Sequence, residues 1–85
     1  MAKEKQIGKI THYFGKIGVG VIELSGALKV GETIRVVGGD RDFTQTVGSM
    51  QIEHEKIEEA KSGEAVGLKL DGLSKPGDIV YKVTE

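Results

Sequence analysis

The sequence predicts an all-β protein, a single small closed antiparallel β-barrel of six to seven strands. Its 85 residues are enough for one domain around one hydrophobic core. Thirteen glycines separate short runs rich in Val, Ile and Leu, a pattern typical of strands joined by tight turns. Two of these runs shift their apolar alternation by one residue, as β-bulges do, and bulges bend a sheet toward closure. Closure would remove the exposed edges of so small a sheet.

We expect the barrel to occupy residues 7–84 and to follow a flexible N-terminus at residues 1–6. Alternating or continuous apolar runs between glycines predict the strands. The apparent bulges lie in the predicted strands at residues 17–24 and, near Gly48, at residues 43–53. The predicted strands are residues 7–14, 17–24, 33–37, 43–53, 66–70 and 79–83.

Local turn chemistry supports the same strand boundaries. Residues 38–42 (GGDRD) predict a hairpin connection, because glycine supplies a positive φ at no steric cost. Residues 74–78 (SKPGD) carry Pro and Gly in the order of a type II turn. Residues 53–61 contain helix-forming residues, but Ile57 and Ala60 are too few for a buried helical face. We expect the end of a strand, a loop and a short extended piece there.

Composition excludes several classes of protein. There is no cysteine, so disulfides and thiolate metal sites are excluded. No apolar run approaches the roughly 20 residues of a membrane span, and the charged residues 1–6 are not followed by a signal-type segment. We therefore expect a cytoplasmic protein that does not contact membranes. The net charge of −1 argues against a strongly basic nucleic-acid binder.

The sequence contains no recognisable catalytic centre or metal site, and we expect no cofactor and no small-molecule substrate. Gly15-Lys16 is followed by Ile17, without the hydroxyl residue of a phosphate-binding loop. His12 and His54 are the only histidines, too few for a zinc site, and the favoured interpretation is that both are surface residues. The acidic residues 53–59 are interpreted as a solvated face, with binding of a cation or a basic partner as the alternative.

Four residues on or just after the first strand are candidates for binding nucleic acid: Lys9, His12, Tyr13 and Lys16. Alternation puts Lys9 and Tyr13 on the outer face, and places Phe14 with Ile10 on the other. An exposed aromatic side chain beside cations is how β-barrels hold single-stranded nucleic acid, with stacking worth about 1–3 kcal/mol per base. The simpler alternative is that Tyr13 covers a barrel end and the lysines keep the protein soluble.

Four segments resemble the β-barrel second domain of translational GTPases such as elongation factor Tu and initiation factor two. They occur in the family's order: residues 25–34 (SGALKVGETI), 47–52 (VGSMQI), 57–68 (IEEAKSGEAVGL) and 75–80 (KPGDIV). The resemblance implies a closed barrel, no helix at residues 53–61, and a partner such as tRNA or ribosomal RNA. We expect no GTPase domain, and residues 7–24, which contain the first two predicted strands, fit the family's spacing poorly, so no pocket residues are carried over.

The chain is also similar to the C-terminal barrel of collagenase-like peptidase-family proteins linked to tRNA modification. Two functional hypotheses follow, neither of them enzymatic. The first is a stand-alone translation-factor-like binding module that contacts tRNA or ribosomal RNA. The alternative is a protein-interaction module that docks to a larger, separate partner, either a peptidase-like or tRNA-modifying enzyme or a GTPase.

Overall fold

The computed structural model describes residues 3–53 and 55–84, and its regular structure is entirely β. The all-β prediction is therefore confirmed. Within the described residues no helix forms, so none is long and apolar enough to cross a membrane. The strands are β1 (Lys3–Phe14), β2 (Val19–Leu24), β3 (Leu28–Lys29), β4 (Thr33–Gly38), β5 (Arg41–Thr46), β6 (Met50–Ile52), β7 (Glu55–Ile57), β8 (Glu59–Ala60), β9 (Ala65–Lys69) and β10 (Ile79–Thr84).

Eight strands form one antiparallel sheet in the order β5-β4-β10-β1-β2-β9-β6-β7, and β3 pairs with β8 in a separate ribbon. The first and last long strands lie side by side in the middle of the sheet, with Lys3 opposite Thr84 and Lys9 opposite Ile79. From this central pair the sheet continues through β4 and β5 on one side and through β2, β9, β6 and β7 on the other, and of these pairings only β1–β2, β4–β5 and β6–β7 join consecutive strands. The fold thus depends on contacts between the two ends of the chain.

Closure of the barrel by a continuous strand ladder is not confirmed. The sheet ends at β5 and β7, which are not paired with each other in the part of the chain that the structure describes. The buried side chain of Gln45 instead bridges β5 to the end of β9. Its Nε2 donates to the carbonyl of Lys69 at 2.9 Å, and its Oε1 accepts from the backbone N–H of Asp71 at 2.6 Å. One side chain therefore joins segments that the ladder leaves apart.

The inner face of the curved sheet carries the core, which is almost purely aliphatic. Burying each such side chain contributes roughly 1.5–3 kcal/mol, and these residues supply most of the driving force for folding. Tyr13, Phe43, Ile52 and Ile57 pack against its margin. The buried core residues are Ile7, Ile10, Ile22, Leu24, Leu28, Ile34, Val36, Val47, Met50, Ala60, Val66, Leu68, Leu70 and Val80.

The bulges lie in β1, and the prediction of a bulge in β2 is wrong. Along β2 the residues Gly20, Ile22 and Leu24 face inward without a break. On β1 the register shifts between Ile10 and His12 against β2, and between Gln6 and Gly8 against β10. Val19 and Val21 occupy outward positions of β2, so apolar residues alternate on both faces of the strand. In the sequence this pattern looks like a shift of the apolar alternation by one residue.

Two predicted boundaries also change. Residues 3–6, expected to be flexible, form the first part of β1 and pair with β10. The long strand predicted over residues 43–53 is two strands, β5 and β6. They separate because the backbone of Val47 turns away to bond Glu32 and Gly31, both at 2.8 Å. The described part of residues 53–61 is non-helical, as expected, and Glu53 has a positive φ of 51° in the turn after β6.

A buried ion pair fastens the β4–β5 hairpin to the turn before β10. Asp78, whose side chain is 3% exposed, accepts from Arg41 Nε at 2.9 Å and Nη2 at 2.8 Å. Ser74 Oγ donates to the same carboxylate at 2.9 Å and the Lys75 N–H at 3.1 Å. Gly38 is required beside it, because a Cβ at that position would overlap the Asp78 carboxylate. The turn predicted at residues 74–78 therefore also positions a structural charge.

Candidate functional site

The structure places three of the four candidate nucleic-acid residues at the surface. Lys9 and His12 are exposed on β1, and Lys16 is exposed in the loop that follows it. Tyr13 does not lie on the outer face as predicted, because it is half-buried and packs against the hydrophobic core. A role for these four residues in binding nucleic acid stays a prediction.

A single extra residue explains why Tyr13 and Phe14 exchange places. Ile10 lies opposite Ile22 and His12 opposite Val21, so Thr11 is the inserted residue of a β-bulge. Its hydroxyl donates to the carbonyl of Val21 at 3.3 Å. Beyond the bulge every side chain of β1 changes face.

Phe14 is consequently 52% exposed and lies beside His12, with ring centroids 6.4 Å apart and planes at 22°.

Phe14 belongs to an apolar surface on the outer side of β2 and β9. Residues directly opposite one another on neighbouring strands point to the same face. On this face Phe14 is opposite Val19, and Val21 is opposite Gly67. Ile17, in the loop between β1 and β2, extends the surface and is 64% exposed. We call this surface the β2–β9 face; it comprises Phe14, Ile17, Val19, Val21, Ala65 and Gly67, and together with Gln51 and Glu53 these residues line a shallow groove.

Charged side chains lie at both ends of the β2–β9 face. At one end Lys69 lies opposite Val19, and Lys16 follows Phe14 in the loop. At the other end Glu23 lies opposite Ala65 on β9 and opposite Lys9 on β1, so this end carries both signs of charge. Glu53, in the turn after β6, also lines the groove. The row between these ends contains His12, Val21, Gly67 and Gln51, whereas Phe14 and Val19 lie in the same row as Lys69.

The remaining charged groups are mostly paired and structural. Arg35 on β4 donates to Asp42 on β5 and to Glu4 on β1, and so ties three strands together at the surface. The hydrogen bonds that Arg35 donates to Asp42 lower the pKa of Asp42. The pKa of Arg35 is raised, chiefly by its hydrogen bonds to Asp42 and next by those to Glu4.

Asp78 is the buried counterpart of this surface network. The hydrogen bonds from Arg41 lower the pKa of Asp78 to about 2, against the opposing effect of burial and with further help from Ser74 and the Lys75 N–H. The hydrogen bonds that Arg41 donates to Asp78 also raise the pKa of Arg41. These groups act as fixed ions that hold strands together, and their pKa values lie far from those useful for acid–base catalysis near neutral pH.

The acidic segment after β6 is exposed, in keeping with its interpretation as a solvated face. Glu55, Glu58 and Glu59 are all exposed, and Glu59 forms a surface ion pair with Lys29 at 3.3 Å. His54 lies outside the described residues. Among residues 3–53 and 55–84, no group of three His, Cys, Asp or Glu side chains is arranged to hold a metal ion.

The apolar alternation of the sequence did not reveal that Phe14 and the apolar residues around it lie on the outer face. The available indication was the run Val19-Gly-Val-Ile22, in which both phases of one strand are apolar. A strand that is apolar on both sides is typical of a sheet that is covered on both sides. The valines therefore indicate apolar side chains on the outer face of this strand.

The architecture defines the protein as a small antiparallel β-domain with apolar side chains on its outer face. Residues 15–81 match the family described as Elongation factor Tu domain 2, and the chain belongs to that family. The first resemblance noted in the sequence is thereby confirmed.

The second resemblance is confirmed as well. The chain is 42% identical over 81 residues to an uncharacterized protease of Methanocaldococcus jannaschii. This match covers 94% of the chain and 20% of the protease, so the chain spans about a fifth of that relative.

Two crystal structures of the C-terminal domain of a Geobacillus thermoleovorans protein, described as a U32 peptidase, share the fold. The first has a TM-score of 0.85 at 16% identity and covers 89% of this chain and 96% of that domain. The second has a TM-score of 0.86 at 17% identity and covers 92% and 91%.

Proposed function

We propose that this chain is a non-catalytic protein-docking module that serves a peptidase-type protein. The observation that carries the proposal is the 42% identity to a segment that makes up 20% of a protein described as a protease. In that relative, four-fifths of the polypeptide lies outside the matched segment. A domain of this kind is therefore part of a much larger polypeptide in at least one relative.

The distribution of side chains supports the same proposal. The strongest charge networks, around Asp78 and Arg35, hold strands to one another. The outer surface instead offers the apolar β2–β9 face, which includes Phe14 at 52% and Ile17 at 64% exposure. Aromatic and aliphatic side chains surrounded by polar residues are typical of protein interfaces. The chain supplies a contact surface, and the chemistry belongs to the partner.

Isothermal titration calorimetry tests this proposal directly. The purified 85-residue chain is titrated into the purified U32-peptidase-type protein from the same organism. We expect saturable binding at a one-to-one ratio with a negative heat-capacity change, because apolar surface is buried. The proposal is rejected if calorimetry shows no binding heat and analytical ultracentrifugation shows no co-migration with both proteins at about 100 μM. Such a result would mean that the binding free energy is weaker than roughly 5 kcal/mol.

A second candidate function is contact with tRNA or ribosomal RNA, and one observation favours it. His12 and Phe14 form an exposed aromatic pair between Lys9 and Lys16, which is a larger stacking platform than a lone tyrosine. Fluorescence anisotropy with labelled tRNA tests it over a range of salt concentrations. Phosphate contacts predict affinity that falls steeply with salt and is lost when Lys9→Glu and Lys16→Glu are combined. Binding that is absent even at low salt eliminates this function.

A further inference from the structure

The first part of β1 is paired on one side only. Residues 3–6 pair with β10, whereas pairing with β2 begins at Gly8. At the end of β2 the N–H groups of Ser25 and Gly26 both bond the carbonyl of Ile7, and the chain then leaves the sheet. A groove lies beside this point and is lined in part by Ser25. Residues 3–6 therefore form an open strand edge, which we call the β1 edge.

The hydrogen-bond pattern shows which residues of this strand bond to β10. The N–H of Ile10 donates to the carbonyl of Asp78 at 2.8 Å, just before β10 begins. Alternate residues of an antiparallel strand bond to the same neighbour, so the even-numbered residues of β10 direct their backbone groups toward β1. Lys3 and Lys5 lie opposite two of these residues. The backbone groups of Lys3 and Lys5 are therefore used in the sheet.

Glu4 and Gln6 carry the free backbone groups of the β1 edge. They alternate with Lys3 and Lys5, so their N–H and C=O groups point away from β10, toward the side that β2 does not reach. Among the described residues, no turn or loop group bonds them. Unpaired groups of this kind are a template on which another extended chain can pair.

Two lysines occupy the inner side of the same edge. Lys5 lies opposite Lys82, which lies opposite the buried Ile34, so all three side chains are on the inner face. Lys3 is on this face too, two residues away from Lys5. Lys82 has an ion pair with Glu32 at 3.3 Å, whereas Lys3 and Lys5 form no ion pair with another described residue. Like charges opposite one another destabilise a sheet, so this corner favours added negative charge.

From the free edge and its lysines we infer that the β1 edge pairs with an extended acidic segment of the peptidase-type protein. The backbone of that segment bonds Glu4 and Gln6. Two carboxylates spaced two residues apart face Lys3 and Lys5, because alternate side chains of a strand share one face. The inference rests on the proposed function and adds a second contact to the β2–β9 face. It names the conformation and the charge of the partner segment.

The lysines also exclude a second copy of the chain as the added strand. Opposed residues of neighbouring strands share a face. Antiparallel pairing of two copies that used Glu4 and Gln6 of both would therefore place Lys5 opposite Lys5, and lysines on edges prevent such pairing. An acidic strand converts the repulsion into attraction. A nucleic acid could neutralise the lysines, but it has no peptide groups to pair with the free backbone.

Amide hydrogen exchange, measured residue by residue, tests where the partner binds. In the free chain we expect the N–H groups of Glu4 and Gln6 to exchange faster than that of Lys5, which bonds β10. Addition of the purified peptidase-type protein should slow exchange at Glu4 and Gln6 about tenfold or more, because each gains a hydrogen bond. Exchange at Asp40, in the exposed turn between β4 and β5, should not change.

Titrations with variants test the charge and the backbone contacts separately. The calorimetry described above is repeated with the pair Lys3→Glu and Lys5→Glu and with Gln6→Pro. Each should weaken binding about tenfold or more, and added salt should narrow the difference for the lysine pair. Proline removes an N–H that faces the open edge, a position where sheets tolerate it. The control pair Lys56→Glu and Lys75→Glu makes the same charge change at other exposed positions and should leave the Kd unchanged.

Circular dichroism establishes that each variant is folded, and the exchange measurement on the wild-type chain needs no variant. Binding that leaves unchanged either the exchange at Glu4 and Gln6 or the Kd of the lysine pair overturns this inference and leaves the proposed function intact. A lysine pair that loses affinity for tRNA and keeps its affinity for the protein would assign the lysines to phosphate contacts, and this also overturns it. Absence of binding by the wild-type chain overturns both.

Discussion

Replacing Asp78 by Asn should remove a charge that stabilises the folded protein, by an amount that depends on pH. The pKa of Asp78 falls from its ordinary 3.8 to about 2 in the folded state, chiefly because Arg41 donates two hydrogen bonds to its carboxylate. At about 1.36 kcal/mol per pH unit, this corresponds to about 2 kcal/mol of folding free energy. Because the folded-state pKa is lowered, the stabilisation is complete above about pH 4 and is lost as pH falls toward 2.

Urea denaturation followed by circular dichroism measures this contribution. At pH 7 we expect Asp78→Asn to be less stable than wild type by about 2 kcal/mol or somewhat more, since an amide N–H would also face the guanidinium of Arg41. The difference should shrink as the pH approaches 2, where Asp78 of the wild type becomes protonated. Asp71→Asn is the control, an exposed carboxylate expected to alter stability by less than about 0.5 kcal/mol. A loss for Asp78→Asn that stays constant between pH 7 and pH 2 would refute the electrostatic explanation.

Three further predictions concern packing and the outer face. Gly38→Ala places a Cβ against the Asp78 carboxylate and should lower the free energy of unfolding, measured by chemical denaturation, by about 2–3 kcal/mol. Gly48→Ala is the control, because open space surrounds that position and the change should be nearly neutral. Equal effects of the two substitutions would contradict the assigned clash. Gln45→Ala leaves the Lys69 carbonyl and the Asp71 N–H without their partner and should lower the unfolding free energy by about 2–3 kcal/mol. Gln51→Ala, at an exposed position, is the control. Faster amide exchange at Asp71 is the specific readout of the lost hydrogen bond. Phe14→Ser should change stability by less than about 1 kcal/mol while weakening partner binding in calorimetry, and a large loss of stability would show that Phe14 serves the core instead.

Local patterns were sufficient to predict the class of fold and its turns. Pro76 and Gly77 predicted the turn before β10 because each restricts its own backbone angles, and Gly77 has a φ of 99°. Ile57 and Ala60 were too few for a helix, and the described residues around them are extended or turn. Such predictions succeed because they depend on residues close together in sequence.

The candidate surface was predicted only in part, because side-chain direction depends on pairing across strands. Lys9, His12 and Lys16 were correctly expected at the surface, whereas Tyr13 and Phe14 were interchanged. Nothing in the sequence around Thr11 marks it as a bulge residue. The bulge exists because residues on both sides of it pair with β2 in different registers.

The amino-acid sequence alone determined an antiparallel all-β domain with aliphatic strands, glycine-rich turns and no helix, since alternation and backbone restriction are local properties. Only the tertiary structure decided which side chains form the outer face, how Gln45 bridges β5 to β9, and that Arg41 meets Asp78 across 37 positions of the chain. Those outcomes depend on strand register and on groups distant in sequence, and one inserted residue is enough to reverse which side of a strand meets solvent.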